Sequence, residues 1–309
     1  MNKKIMAALV AFVVAVPTTA QAKIKNSNVS LPSMAILDTA INSDMSEFQN
    51  KIIYEVCFTS NKSCPNGQNF MEGKGSAVLP ERYISSNGFD HGTKMTSVAI
   101  NENKDMNIVF VRIIGIKPNG QRATTPTNLI SDAINWLVAN QSRLNIKAIS
   151  MSQGHHNLRS GSTYCPDVPS VNSAVSSSVA IGIPVFFAAG NNWDSSRIDW
   201  PACITESIAV AAVDENGYIP GYSNFDTNLV DFVAKGFFNT LSPNGTTSRQ
   251  VGTSVSTQVA AANWVYLSSL KPGLNYSDLY ALLLKTGTSA RNSKVSTNRV
   301  INLQGAING

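Results

Sequence analysis

The sequence predicts an α/β fold of three layers, a mostly parallel central sheet flanked by helices. Three observations lead there. Short unbroken apolar runs recur, as in Met34-Ala35-Ile36-Leu37, Ile108-Val109-Phe110-Val111 and Val185-Phe186-Phe187-Ala188, which suits strands buried on both faces. Segments of helical period stand between them and are long enough to serve as crossovers. No internal repeat, low-complexity linker or composition break separates Asp38 from the C-terminus, so residues 23–309 are expected to form a single domain.

Taken in order, Lys3 and Lys4 precede an apolar run from Ile5 to Val16, and Ala20-Gln21-Ala22 offers small residues for cleavage before Lys23. Residues 1–22 are therefore expected to be a signal peptide that exports the chain to the periplasm or the medium. The run is shorter than the roughly 20 residues a spanning helix needs, so no transmembrane anchor is expected. Met34 to Asp38 reads as a buried strand delivering a polar group at its carboxyl end. From Asn42 to Asn87, Gly67, Gly73, Gly75 and Pro80 break any long element, leaving a strand or two and loops. His91 to Ile100 reads as a helix buried on its Met95, Val98 and Ala99 side. Asn107 to Gly115 is a central strand. Asn128 to Asn140 is a helix whose apolar face holds Leu129, Ala133, Trp136 and Leu137. A strand at Lys147 to Met151, a helix at Ser170 to Ile181 and strands at Pro184 to Ala188, Ser207 to Val213 and Leu229 to Ala234 follow. Helices from Ser254 to Leu270 and from Tyr276 to Thr286 complete the reading.

Composition narrows the function. The 309 residues are 43% apolar and 14% charged, which argues against disorder. The net charge of +5 falls to +3 once Lys3 and Lys4 leave with the leader, and no Lys/Arg run marks a nucleic-acid surface. His91, His155 and His156 have no zinc-finger spacing. In an oxidising compartment the four cysteines read as disulfides. Three complete pairings exist; a local Cys57–Cys64 loop and a Cys165–Cys203 tie are preferred.

Three polar residues stand at junctions between elements: Asp38 ending a strand, His91 opening a helix, and Ser254 opening another. Each alone has an ordinary explanation, such as a helix cap. Together they are the three groups serine hydrolysis needs. The hydroxyl must lose its proton to an imidazole, and the imidazole needs a carboxylate to fix its tautomer and stabilise its charged form.

These residues lie in longer segments that resemble the subtilisin-like serine protease family (the subtilases). Ile36-Leu37-Asp38-Thr39-Ala40 resembles its aspartate segment, His91-Gly92-Thr93 with Met95 and Val98-Ala99 its histidine helix, and Gly252-Thr253-Ser254-Val255-Ser256-Thr257 its nucleophile segment. The order Asp, His, Ser is also the subtilisin order, distinct from those of chymotrypsin and the α/β-hydrolases. The resemblance runs from about Met34 to Thr286 and implies a subtilisin-like fold and a serine endopeptidase with Asp38, His91 and Ser254 as its triad. Val185 to Asn191 resembles the strand leading to the family's oxyanion asparagine, which gives that role to Asn191. Ser150-Met151-Ser152-Gln153-Gly154 resembles the strand edge that pairs with substrate. The resemblance thus implies that Ser152, Gln153 and Gly154 face Ala188, Ala189 and Gly190 across the pocket for the P1 side chain, with Gly154 and Gly190 leaving room for substrate. No acidic residue occurs in these two segments, so an apolar or medium-sized P1 residue is expected.

The chain departs from the family at Ala40 (usually Gly), Lys94 (usually His), Lys235 and Gln258 (both usually Pro). Only Lys23 to Leu37 precedes Asp38 in the expected mature chain, too little for the family's propeptide. The chain then folds unaided, uses a separately encoded folding helper or inhibitor, or is less active than its motifs suggest. The chemistry needs no cofactor and no metal; structural calcium is common in the family, and no ligands for it are assigned. Two other readings stay open: an exported binding or scaffold protein with little turnover, and an esterase using the same triad. Extended polypeptides are the expected substrates. The leader has a direct check: intact-mass measurement of exported protein should show the loss of residues 1–22, and a retained leader would refute the cleavage site.

Overall fold

A computed structural model describes residues 31–86, 88–156, 165–292 and 296–309. The expected leader lies outside them. The strands are β1 (Ser33–Asp38), β2 (Ile52–Phe58), β3 (Phe70–Glu72), β4 (Asn107–Arg112), β5 (Ile146–Met151), β6 (Val185–Ala188), β7 (Ile208–Val213), β8 (Phe232–Lys235), β9 (Phe237–Leu241), β10 (Thr247–Val251), β11 (Thr288–Arg291) and β12 (Ser296–Val300). The helices are α1 (Glu81–Ile84), α2 (His91–Glu102), α3 (Thr127–Leu144), α4 (Pro169–Ala180), α5 (Thr253–Leu270), α6 (Tyr276–Thr286) and α7 (Leu303–Asn308).

All but two of these strands form one sheet in the order β3-β2-β4-β1-β5-β6-β7-β8-β12-β11. From β2 to β12 the neighbours are parallel; β3 and β11 close the two edges antiparallel. This is the fold class the sequence predicts. The chain enters at the centre on β1, whose neighbours β4 and β5 lie on opposite sides. Such a switch point opens a crevice at the carboxyl ends of the strands, where open α/β sheets bind their ligands.

The central strands β1, β4 and β7 are buried on both faces because the two helical layers take alternate residues. Ala35 and Leu37 of β1 pack with Ile130, Ile134, Leu137 and Val175 of α3 and α4. Met34 and Ile36 pack into the other core with Met95, Val98, Val259 and Trp264 of α2 and α5. α5 needs no amphipathic stripe because it is buried almost all round, from Thr253 through Val265 apart from Ser254. Trp136 departs from its expected place in the core: it is partly exposed, stacks on Tyr54 and donates to Glu72.

The elements missed from the sequence are peripheral. The β9–β10 hairpin turns through Pro243-Asn244-Gly245, a legible turn signal, but its strands are half exposed and lack clean alternation. The edge strands β11 and β12 are short and rich in Ser and Thr. The expected bond partners Cys57 and Cys64 are joined with Cα atoms 5.9 Å apart, and Cys165 and Cys203 with theirs 5.5 Å apart. The first loop is held from beneath by buried Arg112, whose guanidinium donates to the carbonyls of Ser63 and Val78. Among the described residues, no helix is long and apolar enough to cross a membrane.

Along α6 the ring of Tyr276 packs against Trp264 and stacks on Tyr280, whose hydroxyl donates to Asp231 at 2.6 Å. Burial, and then the Asp231 charge, push the Tyr276 phenol from 10.0 up to about 12, and Tyr280 shifts the same way. In that window the unfolded chain gives up protons that the fold retains, so folding stability is full below about pH 10 and falls as the pH rises towards 12. Denaturant unfolding at a series of alkaline pH values should show a shallower decline for Tyr276→Phe than for the wild type; equal slopes would remove Tyr276 from the cause.

Candidate active site

Asp38 is the last residue of β1 and wholly buried, and its carboxylate is satisfied by three different parts of the chain. The Thr39 amide donates to Oδ1 at 2.7 Å. His91, the first residue of α2, places Nδ1 2.8 Å from Oδ1 and 2.9 Å from Oδ2. The Gln153 amide donates to Oδ1 at 3.2 Å and lies the same distance from His91 Nδ1. A carboxylate so placed fixes the imidazole tautomer with its proton on Nδ1, which leaves Nε2 as the basic nitrogen.

Ser254 stands in the first turn of α5, partly exposed. Its backbone is joined to the neighbouring strand: Ser152 Oγ donates to the Ser254 carbonyl at 3.1 Å. The Ser254 hydroxyl turns to the Ser152 carbonyl at 3.5 Å, and the direct hydrogen bond to His91 expected of a triad is not formed. The hydroxyl is a free rotor, and nucleophile contacts of this kind tighten in the complex with substrate. Gln153 and Ser152 are thus adjacent residues that reach His91 and Ser254 respectively, which brings the three expected residues to one point on the sheet edge.

Asn191 follows β6 and is exposed, yet its side chain is oriented. Its carbonyl Oδ1 accepts from the Thr253 amide at 2.9 Å and the Thr253 hydroxyl at 3.1 Å. The Nδ2 donors make none of these bonds and lie 3.4 Å from where a side chain would begin on Gly252. Thr253 Oγ1 in turn accepts from the Gly190 amide at 3.1 Å, locking the turn after β6 to the start of α5.

The cleft walls differ from the expectation in two ways. Gln153, assigned to substrate contact, turns its side chain to Asp38 and His91, with Arg122 donating to its Oε1 at 3.4 Å; only its backbone remains for substrate. Gly154 and Gly190 were expected to leave room for substrate, but the space a side chain would take is filled by the protein itself. A Cβ on Gly154 would lie 2.7 Å from the Trp200 carbonyl, and one on Gly190, whose φ is +105°, would lie 2.4 Å from the Asp199 carboxylate and from Asn224 Nδ2. The glycines admit the close approach of the 199–200 segment. Ala188 is half-buried and Ala189 fully buried beside them, and the Ala189 carbonyl accepts from Asp199 and Asn224.

An acidic group therefore does stand at these walls. Asp199 escaped the sequence reading because it lies outside both wall segments; its neighbourhood with a buried Trp200-Pro201 step and Cys203 was the available signal. Burial pushes its carboxyl above the usual range, opposed by hydrogen bonds from His156 and Asn192.

Three departures from the family pattern have structural partners. Gln258, buried in α5, accepts from Ser150 Oγ at 2.9 Å and donates to Ser152 Oγ at 2.9 Å, binding the nucleophile helix to β5. Lys94 pairs with Asp90 one turn back at 2.6 Å. Lys235 lies over the rings of Phe237 and Phe238. Among the described residues no three His, Cys, Asp or Glu side chains gather as a metal site.

Comparison with known proteins agrees with this architecture. The chain is 26% identical over 280 residues to an intracellular serine protease of Paenibacillus polymyxa, covering 84% of this chain and 75% of the relative. It is 27% identical over 283 residues to the major intracellular serine protease of Bacillus subtilis (strain 168), covering 85% and 76%. Among solved structures, a protease from Pseudoalteromonas arctica superposes with a TM-score of 0.69 at 20% identity, covering 92% of this chain and 93% of the other. The Subtilase family model matches residues 31–306. The chain belongs to the subtilase family of serine endopeptidases.

Proposed function

We propose that this endopeptidase cleaves extended polypeptides with Ser254 as nucleophile, His91 as general base and then acid, and Asp38 as the carboxylate that orients and stabilises the imidazole. The observation that carries the reading is the Asp38–His91 pair, made by both carboxylate oxygens to one ring nitrogen at the edge of the sheet where α5 begins with Ser254. His91 Nε2 takes the serine proton as Oγ attacks the scissile carbonyl. The tetrahedral oxyanion meets the Asn191 amide and the Ser254 backbone N–H, and the α5 N-terminus adds its partial positive charge. His91 then protonates the leaving amine, and water releases the acyl group by the same route reversed. Ester substrates share the acyl-transfer step, so ester hydrolysis is expected as a side activity of the same groups.

Residues 23–309 form, in this reading, a single exported peptidase domain released by cleavage after Ala22. The alternative, a scaffold with little turnover, is motivated by the departure at Gln258 and by the hydroxyl turned away from His91.

The test is the chain beginning at Lys23, folded without any added propeptide, assayed on an unfolded protein and on peptide and ester substrates. Both peptide and ester substrates should be cleaved, since acyl transfer uses the same groups. A serine-directed covalent inhibitor should label Ser254 and stop turnover. Ser254→Ala should keep the fold and lose nearly all activity. Asn191→Ala should lower kcat by about 10²–10³-fold, as loss of the corresponding amide does in subtilisin, from which the figure is taken. A folded protein that is neither labelled nor active would refute the assignment; activity restored by a separately encoded helper would move the error to maturation alone.

A further inference from the structure

The two wall segments, 152–154 and 188–190, are bridged at their base by a third. The Asp199 amide donates to the Ala189 carbonyl at 2.8 Å, while His155 and Trp200 exchange backbone hydrogen bonds at 3.0 and 3.2 Å. Asp199 thus stands between the walls, its Cβ 3.7 Å from where a side chain would begin on Gly154 and its Oδ2 2.4 Å from the same point on Gly190. The Cys165–Cys203 disulfide anchors the segment a few residues on.

The two carboxylate oxygens are used unequally. Oδ1 accepts from His156 Nδ1 at 3.1 Å, Asn192 Nδ2 at 2.8 Å and Asn224 Nδ2 at 2.9 Å. Oδ2 shares only the Asn192 donor, at 3.0 Å, and it is the oxygen turned towards Gly190. Among the described residues the one ion-pair partner of Asp199 is His156; no lysine or arginine reaches it. A carboxylate oxygen accepts two or more donors, and among the described residues Oδ2 takes one.

We propose that Asp199 is the specificity-determining residue of this peptidase, and that its Oδ2 receives the cationic head of a P1 lysine or arginine. The inference rests on the reading of 152–154 and 188–190 as the walls of the P1 pocket. Its physical basis is the cost of covering a charge. An apolar P1 side chain laid over Asp199 would strip water from the carboxylate and return no donor. An ammonium or guanidinium group replaces that water with charge-assisted hydrogen bonds, and Arg can do so with two parallel donors. Sites that bond a polar substrate group discriminate more sharply than apolar slots that only measure size. The pocket expected from the wall segments alone, apolar and uncharged, is thereby replaced by one with an acidic base.

The experiment compares peptides alike except at P1, carrying Arg, Lys, citrulline, Leu or Ala, on the mature wild-type protein and on Asp199→Asn. Citrulline keeps the shape of arginine without its charge. The wild type should show kcat/KM for Arg and Lys at least about tenfold above citrulline, Leu and Ala, and Asp199→Asn should reduce the Arg-to-citrulline ratio by about tenfold or more. Labelling of Ser254 by a neutral serine-directed reagent counts competent sites in each preparation. If Ser254 is labelled but citrulline, Leu or Ala equals Arg, the Asp199 proposal is overturned while the protease assignment stands. If the wild type is neither labelled nor active, the assignment fails and this proposal falls with it. If Asp199→Asn does not fold, benzamidine and uncharged benzamide on the wild type decide: competitive inhibition by benzamidine at about a tenfold lower concentration or less supports the proposal, and equal inhibition overturns it.

Discussion

The arrangement of the sheet edge depends on one buried negative charge. Asp38 has no solvent exposure, and a carboxylate in that position must be met by donors or it costs several kcal/mol. The donors come from the following residue, from the start of α2 and from the end of β5. Satisfying the charge therefore fixes where a helix begins and where a strand ends. The central placement of β1 makes this workable, since β4 and β5 diverge from it and open the crevice into which the imidazole projects. The same requirement holds His91 in the tautomer that general-base chemistry uses, so the constraint that stabilises the edge also prepares the reaction.

Ser254 is connected to this centre through β5 and the residues that follow it. Ser150 and Ser152 present hydroxyls on the face towards α5, and Gln258 bonds both, while Ser152 also bonds the carbonyl of Ser254. A proline at position 258 would offer no side-chain amide for these hydroxyls. The glutamine supplies a backbone donor to the helix and a side-chain bridge to the strand, so the departure exchanges rigidity of the chain for a hydrogen-bonded joint. Lys94 and Lys235 are likewise accommodated by Asp90 and by two phenylalanine rings, which explains how the family pattern can be broken at these positions without disturbing the edge.

The central elements were legible because burial on both faces leaves an unbroken apolar signature. Residues 34–38, 107–112, 146–151 and 208–213 could hardly be anything but interior strands, and Tyr276 to Thr286 carries helical period between clear ends. The β9–β10 hairpin and the β11–β12 edge were not legible, because their half-exposed, polar strands carry no such signature. The site divides in the same way. Asp38, His91 and Ser254 sit in distinctive local segments at element junctions, whereas what Gln153 touches depends on the meeting of β1, α2 and β5. Reading Gly154 and Gly190 as openings failed for the same reason: a missing side chain announces that something approaches closely, and the sequence does not say whether it is substrate or another part of the chain.

Asp199 and Asp38 make an instructive pair, since both are buried carboxylates bonded to a histidine at one cleft. Their surroundings separate their roles. Asp38 also gathers its donors on Oδ1, from Thr39 and Gln153, and shares His91 between both oxygens, so what separates the two carboxylates is the partner each faces. Asp199 gathers its donors on Oδ1 and leaves Oδ2 to a single shared amide at the glycine wall. Asn224 and Asn192, which hold Oδ1, belong to loops after β7 and β6, and the buried Trp200 side chain packs beneath. A side chain held this firmly from behind cannot swing aside for an apolar ligand without breaking several hydrogen bonds at once. Its charge is consequently a fixed feature of the cleft, and selectivity follows from what each substrate offers to that fixed charge rather than from how far the pocket can open.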